Sequence, residues 1–127
     1  AQEGAKYNIR TNALAPTAGT RMTEGLMSAQ AFGLLTPEAV TPAVLFLVSE
    51  NAPTRTILAA GAGSFAVAKI VESDGMWLPE AEQTPEGLEA HWEAIANGGE
   101  TPLQAGFEQT FKMVGKAAQG KGITLEG

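Results

Sequence analysis

Short apolar runs separated by polar segments rich in proline and glycine dominate the first half of the chain. Residues 8–14, with Ile9 and Leu14 as apolar positions, are a candidate strand. Residues 56–60 form a second apolar run of strand length, and residues 44–48 between them are typical of a mostly buried helix. Strand, helix and strand in this order predict parallel strands joined by one right-handed crossover.

Threonine–proline pairs mark the predicted helix starts. Thr36 suits the N-cap and Pro37 suits the first helical position, which predicts a helix over residues 37–50. Because Pro42 would remove an interior hydrogen bond, we expect this helix to divide into a single turn, a kink and a second part that begins at residue 42.

The second half of the chain reads as a strand and a turn followed by helices. Alternating apolar positions over residues 65–71 predict a strand. Further threonine–proline pairs predict two helices that begin at Thr84 and Thr101, and a glutamine three residues after Thr101 gives the spacing of a capping box. We therefore predict two domains, residues 1–63 and residues 64–127.

Two shorter segments also carry local signals. Residues 23–30 suit a short helix, followed by a mobile apolar connector at residues 32–35. The first residues read as the last turn of a helix that Gly4 ends, because glycine takes the left-handed conformation easily. The chain does not begin with methionine, so we expect its numbering to start inside a longer protein.

Composition excludes several classes of function. The net charge is −6 and no basic run is present, which argues against nucleic-acid binding. The chain has no cysteine, so it can form no disulfide and no thiolate metal site. No apolar stretch approaches the roughly 20 residues that span a bilayer, so we expect no membrane partner and a cytoplasmic location.

The strongest sequence signal is a family resemblance. Residues 8–16 resemble the N-I-R-V-N-A-V-A-P stretch of short-chain dehydrogenases/reductases. Residues 36–50 resemble the helix that follows in that family, and residues 56–60 fall where the family has its seventh strand. The resemblance covers residues 1–63. It implies an α/β fold that is the C-terminal portion of a Rossmann-like doubly wound sheet, with NAD or NADP as the cofactor of the complete enzyme.

Residues 15–23 are most similar to the A-P-x-A-G-S/T-R-M-T loop of the 3-hydroxyacyl-CoA dehydrogenase branch, found in multifunctional enzymes of type 2 and bacterial relatives. This resemblance implies that backbone groups of the loop face the nicotinamide carboxamide and that Thr20 offers a hydroxyl on the pyrophosphate side. Thr17 departs from the glycine of the commoner family pattern. The alternative is an ordinary strand-to-helix turn. The implied cofactor-binding residues are Pro16, Thr17, Ala18, Gly19 and Thr20.

The same loop leads into apolar residues that suit a flexible acyl chain, since thioethers adapt to irregular ligands. By resemblance, the candidate substrate-binding residues are Met22, Met27 and Phe32, and the alternative is plain core packing. In the complete enzyme, hydride would pass between a 3-hydroxyacyl substrate and the nicotinamide cofactor. A peroxisomal location is expected if the protein is eukaryotic.

The family's proton-transfer motif is missing from this sequence. That motif is Y-x-x-x-K, in which the tyrosine hydroxyl is the acid/base and the lysine holds its charge. The single tyrosine is Tyr7, and Thr11 stands where the lysine would be. We therefore assign no catalytic residue, and expect no tight cofactor binding and no activity from this chain unaided.

Two other patterns are weaker. Residues 61–66 mimic half of a dinucleotide fingerprint, G-x-G-x-x-A, but the residues that follow favour a strand and hence a tight bend. His91 stands among glutamates, although a metal site needs several converging ligands. We expect an exposed histidine on a solvated acidic face and no metal.

Self-association follows from the same reasoning. Without upstream strands, the strand at residues 8–14 would have an unpaired edge and the following helix would lose part of the sheet that it covers. We therefore expect a dimer or a higher homo-oligomer. Two alternatives to a dehydrogenase fragment stay open, a non-catalytic self-associating module and a small-ligand carrier that holds an acyl chain at residues 22–35.

Overall fold

A computed structural model describes residues 1–126 as a mixture of strands and helices. The chain divides into two compact units, Ala1–Lys69 and Ile70–Gly127. The predicted division into residues 1–63 and 64–127 stays a prediction. The predicted α/β class is confirmed by the arrangement of the first unit.

A three-stranded sheet forms the first unit. Its strands are β1 (Ala13–Pro16), β2 (Ile57–Gly61) and β3 (Ser64–Ala68), in the order β1-β2-β3. β1 and β2 are parallel and place Leu14 opposite Leu58, whereas β2 and β3 form an antiparallel hairpin. The predicted crossover between two parallel strands is therefore present.

Two helices connect β1 to β2. They are α1 (Ala29–Leu34) and α2 (Thr41–Leu47), and a 3-10 turn over Pro37–Val40 precedes α2. This turn followed by a helix confirms the division expected from Pro42, which lies in the first turn of α2. The helix ends at Leu47, before the predicted end at residue 50.

The first strand begins later than predicted. Residues 8–12 are not part of a strand, and the pairing with β2 starts at Ala13. Asn8 takes a left-handed φ of 57°, which interrupts any extended run, and the side chains that follow bond to a loop instead of lying in a sheet. The expected helix end at Gly4 is also wrong: Gly4 has a φ of −80°, and the left-handed residue is Asn8.

The helix predicted at residues 23–30 is displaced along the chain. Turns occupy residues 21–27, where Gly25 has a φ of 82°, a conformation that ends helical geometry. α1 starts only after Ser28, whose hydroxyl accepts a hydrogen bond from the amide of Ala31. Residues 32–34, expected to be a mobile connector, are the last residues of α1.

The core of the first unit is small. Val40, Ala43 and Ala60 are buried, and Leu14 and Leu58 pack against them. The prediction that α2 is mostly buried is wrong, because a sheet of three short strands covers one stripe of the helix and leaves the rest in solvent. The apolar residues of α2 and its C-cap that stay exposed are Val44, Leu45, Phe46 and Val48.

The second unit combines a two-stranded sheet with three helices. β4 (Val71–Ser73) pairs with β5 (Glu100–Pro102) in antiparallel register. The remaining elements are a 3-10 turn (Glu80–Glu82), α3 (Pro85–Ala90), α4 (Trp92–Asn97) and α5 (Gly106–Lys121).

One predicted helix start of this unit is confirmed and one is wrong. The Thr84 hydroxyl accepts a hydrogen bond from the amide of Gly87 at 3.0 Å and caps α3. Thr101 instead lies in β5 opposite Glu72, and α5 begins at Gly106. Pairing with a strand distant in the sequence overrides the local capping pattern there.

Candidate functional site

The loop between β1 and α1 leaves the carboxyl end of β1, which is where ligand sites of open α/β sheets lie. The amide of Thr17 donates to the carbonyl of Ala60 at 2.8 Å and extends the parallel ladder by one bond. Gly61 lies directly beside this point. A Cβ at Gly61 would come within 3.0 Å of the Thr17 carbonyl oxygen, so a glycine lets the loop pass close to β2.

Gly19 fixes the loop against the end of α1. Its amide donates to the carbonyl of Leu35, and a Cβ at Gly19 would lie 3.1 Å from the carbonyl oxygens of both Leu35 and Phe32. The Phe32 ring lies on the same side, 3.2 Å from that position. The structure thus brings one substrate candidate, Phe32, against the cofactor candidate Gly19.

Thr23 organises the turn that follows. Its hydroxyl accepts a hydrogen bond from the amide of Thr20 at 2.9 Å and lies 3.2 Å and 3.1 Å from the carbonyls of Ala18 and Thr20. One proton can serve only one of these two carbonyls at a time. Thr23 was not among the predicted site residues, although a threonine three residues after Thr20 is a recognisable side-chain turn signal.

Several polar groups of this loop are available to a ligand. Within residues 1–126, the Ala18 amide and the carbonyls of Thr17 and Gly19 make no hydrogen bond, and neither does the Thr20 hydroxyl. Pro16, the last residue of β1, has no amide hydrogen to satisfy. A primary carboxamide carries one acceptor and two donor hydrogens, so these backbone groups fit it chemically.

The three substrate candidates differ in their surroundings. Phe32 and Met27 are half-buried, whereas the side chain of Met22 is 89% exposed. The structure therefore covers part of the Phe32 and Met27 side chains and leaves Met22 in solvent. The assignment of these residues to substrate, and of residues 16–20 to cofactor, stays a prediction.

Arg10 and Asn12 hold the end of α2 and the segment after it to the chain before β1. The Arg10 guanidinium donates to the carbonyls of Ser49, Glu50 and Ala52. A cation near the carbonyls at a helix C-terminus is favourable. Sequence reasoning missed this role, and the one available signal was that polar residues alternate along a segment expected to be a strand.

Asn12 makes two bonds to the same segment. Its side-chain amide donates to the carbonyl of Pro53 at 2.7 Å and its oxygen accepts from the amide of Thr56 at 3.1 Å. The Thr11 carbonyl accepts from the amide of Arg55 at 2.8 Å. These contacts fix the register of β1 against β2, and with it the point where the candidate loop emerges.

The two weaker sequence patterns have structural explanations. Ala62 and Gly63 have φ values of 52° and 72°, which makes the β2–β3 connection a tight hairpin turn. The predicted tight bend is therefore confirmed, and no helix opens there as a phosphate-binding fingerprint would require. His91 was expected to be exposed, but the structure shows it half-buried. Its Nε2 atom lies 3.3 Å from a carboxylate oxygen of Glu82.

Two kinds of feature are absent from residues 1–126. No three or more metal-ligating side chains come together there. No helix in that range has the length and apolar character needed to cross a membrane.

Two parallel strands, a connecting helix and a loop at the carboxyl end of the first strand are features of the α/β fold class predicted from the sequence. The predicted resemblance to short-chain dehydrogenases/reductases is confirmed by a Mycobacterium tuberculosis relative named as a short-chain type dehydrogenase/reductase. It is 42% identical over 76 residues, which are 59% of this chain and 27% of the relative. No protein-family model matches the chain.

More particular relatives are multifunctional enzymes. The peroxisomal hydratase-dehydrogenase-epimerase of Neurospora crassa is 37% identical over 76% of this chain and 11% of its own length. The peroxisomal multifunctional enzyme type 2 of Mus musculus is 35% identical over 75% of this chain and 13% of its own length. The chain is thus similar to enzymes of which it spans a small part.

A solved structure agrees with the fold. The full-length peroxisomal multifunctional enzyme type 2 of Drosophila melanogaster superimposes with a TM-score of 0.72 over 90% of this chain and 21% of that chain, at 23% sequence identity. At this identity, the superposition supports the fold of the chain.

Proposed function

We propose that this chain is the C-terminal part of an NAD(P)-dependent short-chain dehydrogenase/reductase that acts on 3-hydroxyacyl-CoA or a similar secondary alcohol or ketone. The observation that carries the proposal is the loop of residues 16–20. It leaves the carboxyl end of a parallel strand with ligand-compatible backbone groups unpaired within residues 1–126. Relatives named hydratase-dehydrogenase-epimerases support a dehydrogenase. The substrate class is the one that the resemblance of residues 15–23 implies.

The loop positions the cofactor in this proposal. The bound NAD or NADP supplies the hydride chemistry. The Ala18 amide and the carbonyls of Thr17 and Gly19 would hold the carboxamide of the nicotinamide, and the Thr20 hydroxyl would hold the pyrophosphate. Fixed backbone groups orient a flat ring without the entropic cost of ordering long side chains.

The substrate side of the loop is apolar. Phe32 lies against Gly19, Met27 is half-buried, and Met22 is exposed. A flexible thioether suits an acyl chain of variable shape. We assign these three residues to the acyl portion of the substrate.

Proton transfer requires groups that this sequence does not contain, since it has no Y-x-x-x-K. We therefore propose that the chain binds NADH weakly and is inactive unless the upstream part of the enzyme is present. A eukaryotic source would place the enzyme in the peroxisome, as for the relatives named peroxisomal.

The test compares this chain with the longer polypeptide from the same gene. NADH fluorescence should show weak or no binding to the isolated chain, and the longer polypeptide should oxidise a 3-hydroxyacyl-CoA. In that polypeptide, Thr20→Val should raise the KM for the cofactor, whereas Thr110→Val, on exposed α5, should not. Dehydrogenase activity in the isolated chain, or an upstream sequence without Y-x-x-x-K, would refute the proposal.

A specific observation also supports self-association as a second, non-catalytic role. Within residues 1–126, one side of β1 has no neighbouring strand, and the apolar face of α2 that carries Leu45 and Val48 is exposed. Unpaired strand edges and contiguous apolar surface both favour association with another chain. We propose a homodimer or higher homo-oligomer for the isolated chain. The third alternative, an acyl carrier at residues 22–35, would instead bind a fluorescent acyl probe without binding NADH, and Phe32→Ala would weaken that binding.

A further inference from the structure

The second unit contains a cavity of about 530 Å³, and no residue of the candidate cofactor loop is among those that line it. This volume is within the range of small-molecule sites, roughly 300–1,000 Å³. Its wall is predominantly apolar, and its polar groups come from β4, the turn after it, Gln83 and one face of α5. The apolar lining residues are Met76, Trp77, Leu78, Leu88, Ile95 and Met113.

A fixed ion pair forms part of the polar wall. The Lys112 ammonium lies 3.0 Å from a carboxylate oxygen of Glu72 and donates to the carbonyl of Ser73 at 2.7 Å. The Gln109 side chain also donates to Glu72. The charge of Glu72 is thus compensated within the unit, and this carboxylate does not repel an entering anion as an isolated charge would.

Lys116 lies one helical turn further along the same face of α5. Within residues 1–126, its ammonium has one hydrogen bond, to the carbonyl of Gly75, and at 3.5 Å that bond is at the limit of the accepted range. The other carboxylate of the cavity, Asp74, is engaged elsewhere. It lies against the backbone of Gly99 and accepts a hydrogen bond from Thr101.

Trp77 is a closely packed residue of the apolar lining of the cavity. Its indole lies against Gly120, so closely that a Cβ at residue 120 would fall 2.1 Å from a ring carbon. Met76 and Met113 add flexible thioethers to the same lining. Rigid aromatic and adaptable methionine surfaces together suit a flexible aliphatic chain.

We propose that this cavity binds an aliphatic carboxylate, with the chain against Trp77 and Met113 and the carboxylate on Lys116. The site is independent of the proposed cofactor loop, which belongs to the other unit. It would therefore be present in the isolated chain even if that chain does not bind NADH.

The fluorescence of Trp77 provides a direct readout. In a Trp92→Phe background, which removes the exposed second tryptophan, decanoate should shift the emission of Trp77 to shorter wavelength in a saturable manner. Decanol should bind more weakly because it lacks the charge. Absence of any saturable change with decanoate below its micellar concentration would overturn the proposal.

Two charge variants locate the carboxylate. Lys116→Ala should weaken decanoate binding by roughly three- to fivefold, the range for a partly exposed ion pair, and should leave decanol binding unchanged. Lys121→Ala removes the same charge from the exposed end of α5 and should have no effect on either ligand. Equal effects of the two variants would show nonspecific electrostatic attraction and refute the site.

A third variant tests whether the aliphatic chain of the ligand occupies the apolar part of the cavity. Ile95→Phe narrows the cavity and should weaken decanoate and decanol alike, with circular dichroism to verify that the fold is kept. Unchanged affinity in a folded Ile95→Phe protein would place the ligand elsewhere. If this variant does not fold, the comparison of Lys116 with Lys121 still decides the question.

Discussion

Individual glycines determine how closely the candidate loop can approach its neighbours. Gly19 faces two carbonyl oxygens and the Phe32 ring, whereas Gly33, in nearby α1, has open space around the position of a Cβ. Gly19→Ala should therefore lower the free energy of unfolding by about 1–3 kcal/mol through overpacking.

Gly33→Ala is the matched control for that substitution. A helical glycine replaced by alanine in open space should leave stability unchanged or raise it by up to about 1 kcal/mol. Urea denaturation measures both variants. Equal stability of the two proteins would contradict the close packing of the loop at Gly19.

Glu72 provides a pH-dependent prediction at the same scale. Hydrogen bonds from Lys112 and then from Gln109 hold the pKa of this carboxyl below its ordinary value of 4.5. Because the pKa is lower in the folded state, the ionised carboxylate stabilises the fold above that value, and the contribution is lost as the pH falls through the lowered pKa.

Glu72→Gln should accordingly be less stable than the parent chain at neutral pH, with a difference that shrinks as the solution is acidified below pH 4.5. Thermal melting at a series of pH values measures this. Glu3→Gln, which removes an exposed glutamate without an ion pair in residues 1–126, is the control. A pH-independent difference would show that Glu72 acts through packing alone.

Among the elements of the first unit, the end of α2 depends on a side chain from outside the helix. Arg10→Ala would leave the carbonyls of Ser49, Glu50 and Ala52 without their cation. We expect a loss of about 1 kcal/mol, since the contacts are largely exposed to solvent. Chemical denaturation measures this loss in the free energy of unfolding. Arg21→Ala, which removes an exposed arginine of the loop, is the control, and equal losses in the two variants would refute the anchoring role of Arg10.

Elements with purely local signals were predictable from the sequence. The crossover of β1, α2 and β2 follows from two apolar runs and a threonine–proline start, and the cap of α3 follows from Thr84 alone. The start of β1 and the strand at Thr101 were not predictable in this way. Both depend on partners far along the chain, the segment at residues 49–56 and the strand β4.

In the candidate site too, residues of a contiguous motif were predictable from the sequence, and residues that act through distant partners were not. The family resemblance indicates residues 16–20 because the motif is contiguous in sequence. The roles of Arg10 and Thr23 became apparent only with the structure, since their targets are backbone carbonyls, which look the same in any sequence. Composition likewise could not show that the second unit contains an apolar cavity, because the lining residues are spread from β4 to α5.

For the whole molecule, the exposed face of α2 should govern self-association. Val48, 78% exposed, lies at the end of that face. Val48→Lys should lower the average mass measured by light scattering at micromolar concentration, because a charge opposes burial of the face. Leu26→Lys alters an equally exposed apolar residue outside α2 and serves as the control. A monomeric parent chain would refute self-association.

The placement of chromophores makes the two units separately observable. Both tryptophans, Trp77 and Trp92, belong to the unit that begins at Ile70, and residues 1–69 contain none. Tryptophan emission therefore follows the melting of one unit, whereas far-ultraviolet circular dichroism follows both. The gap between the two transition temperatures measures how far the halves of this small protein unfold as one cooperative system.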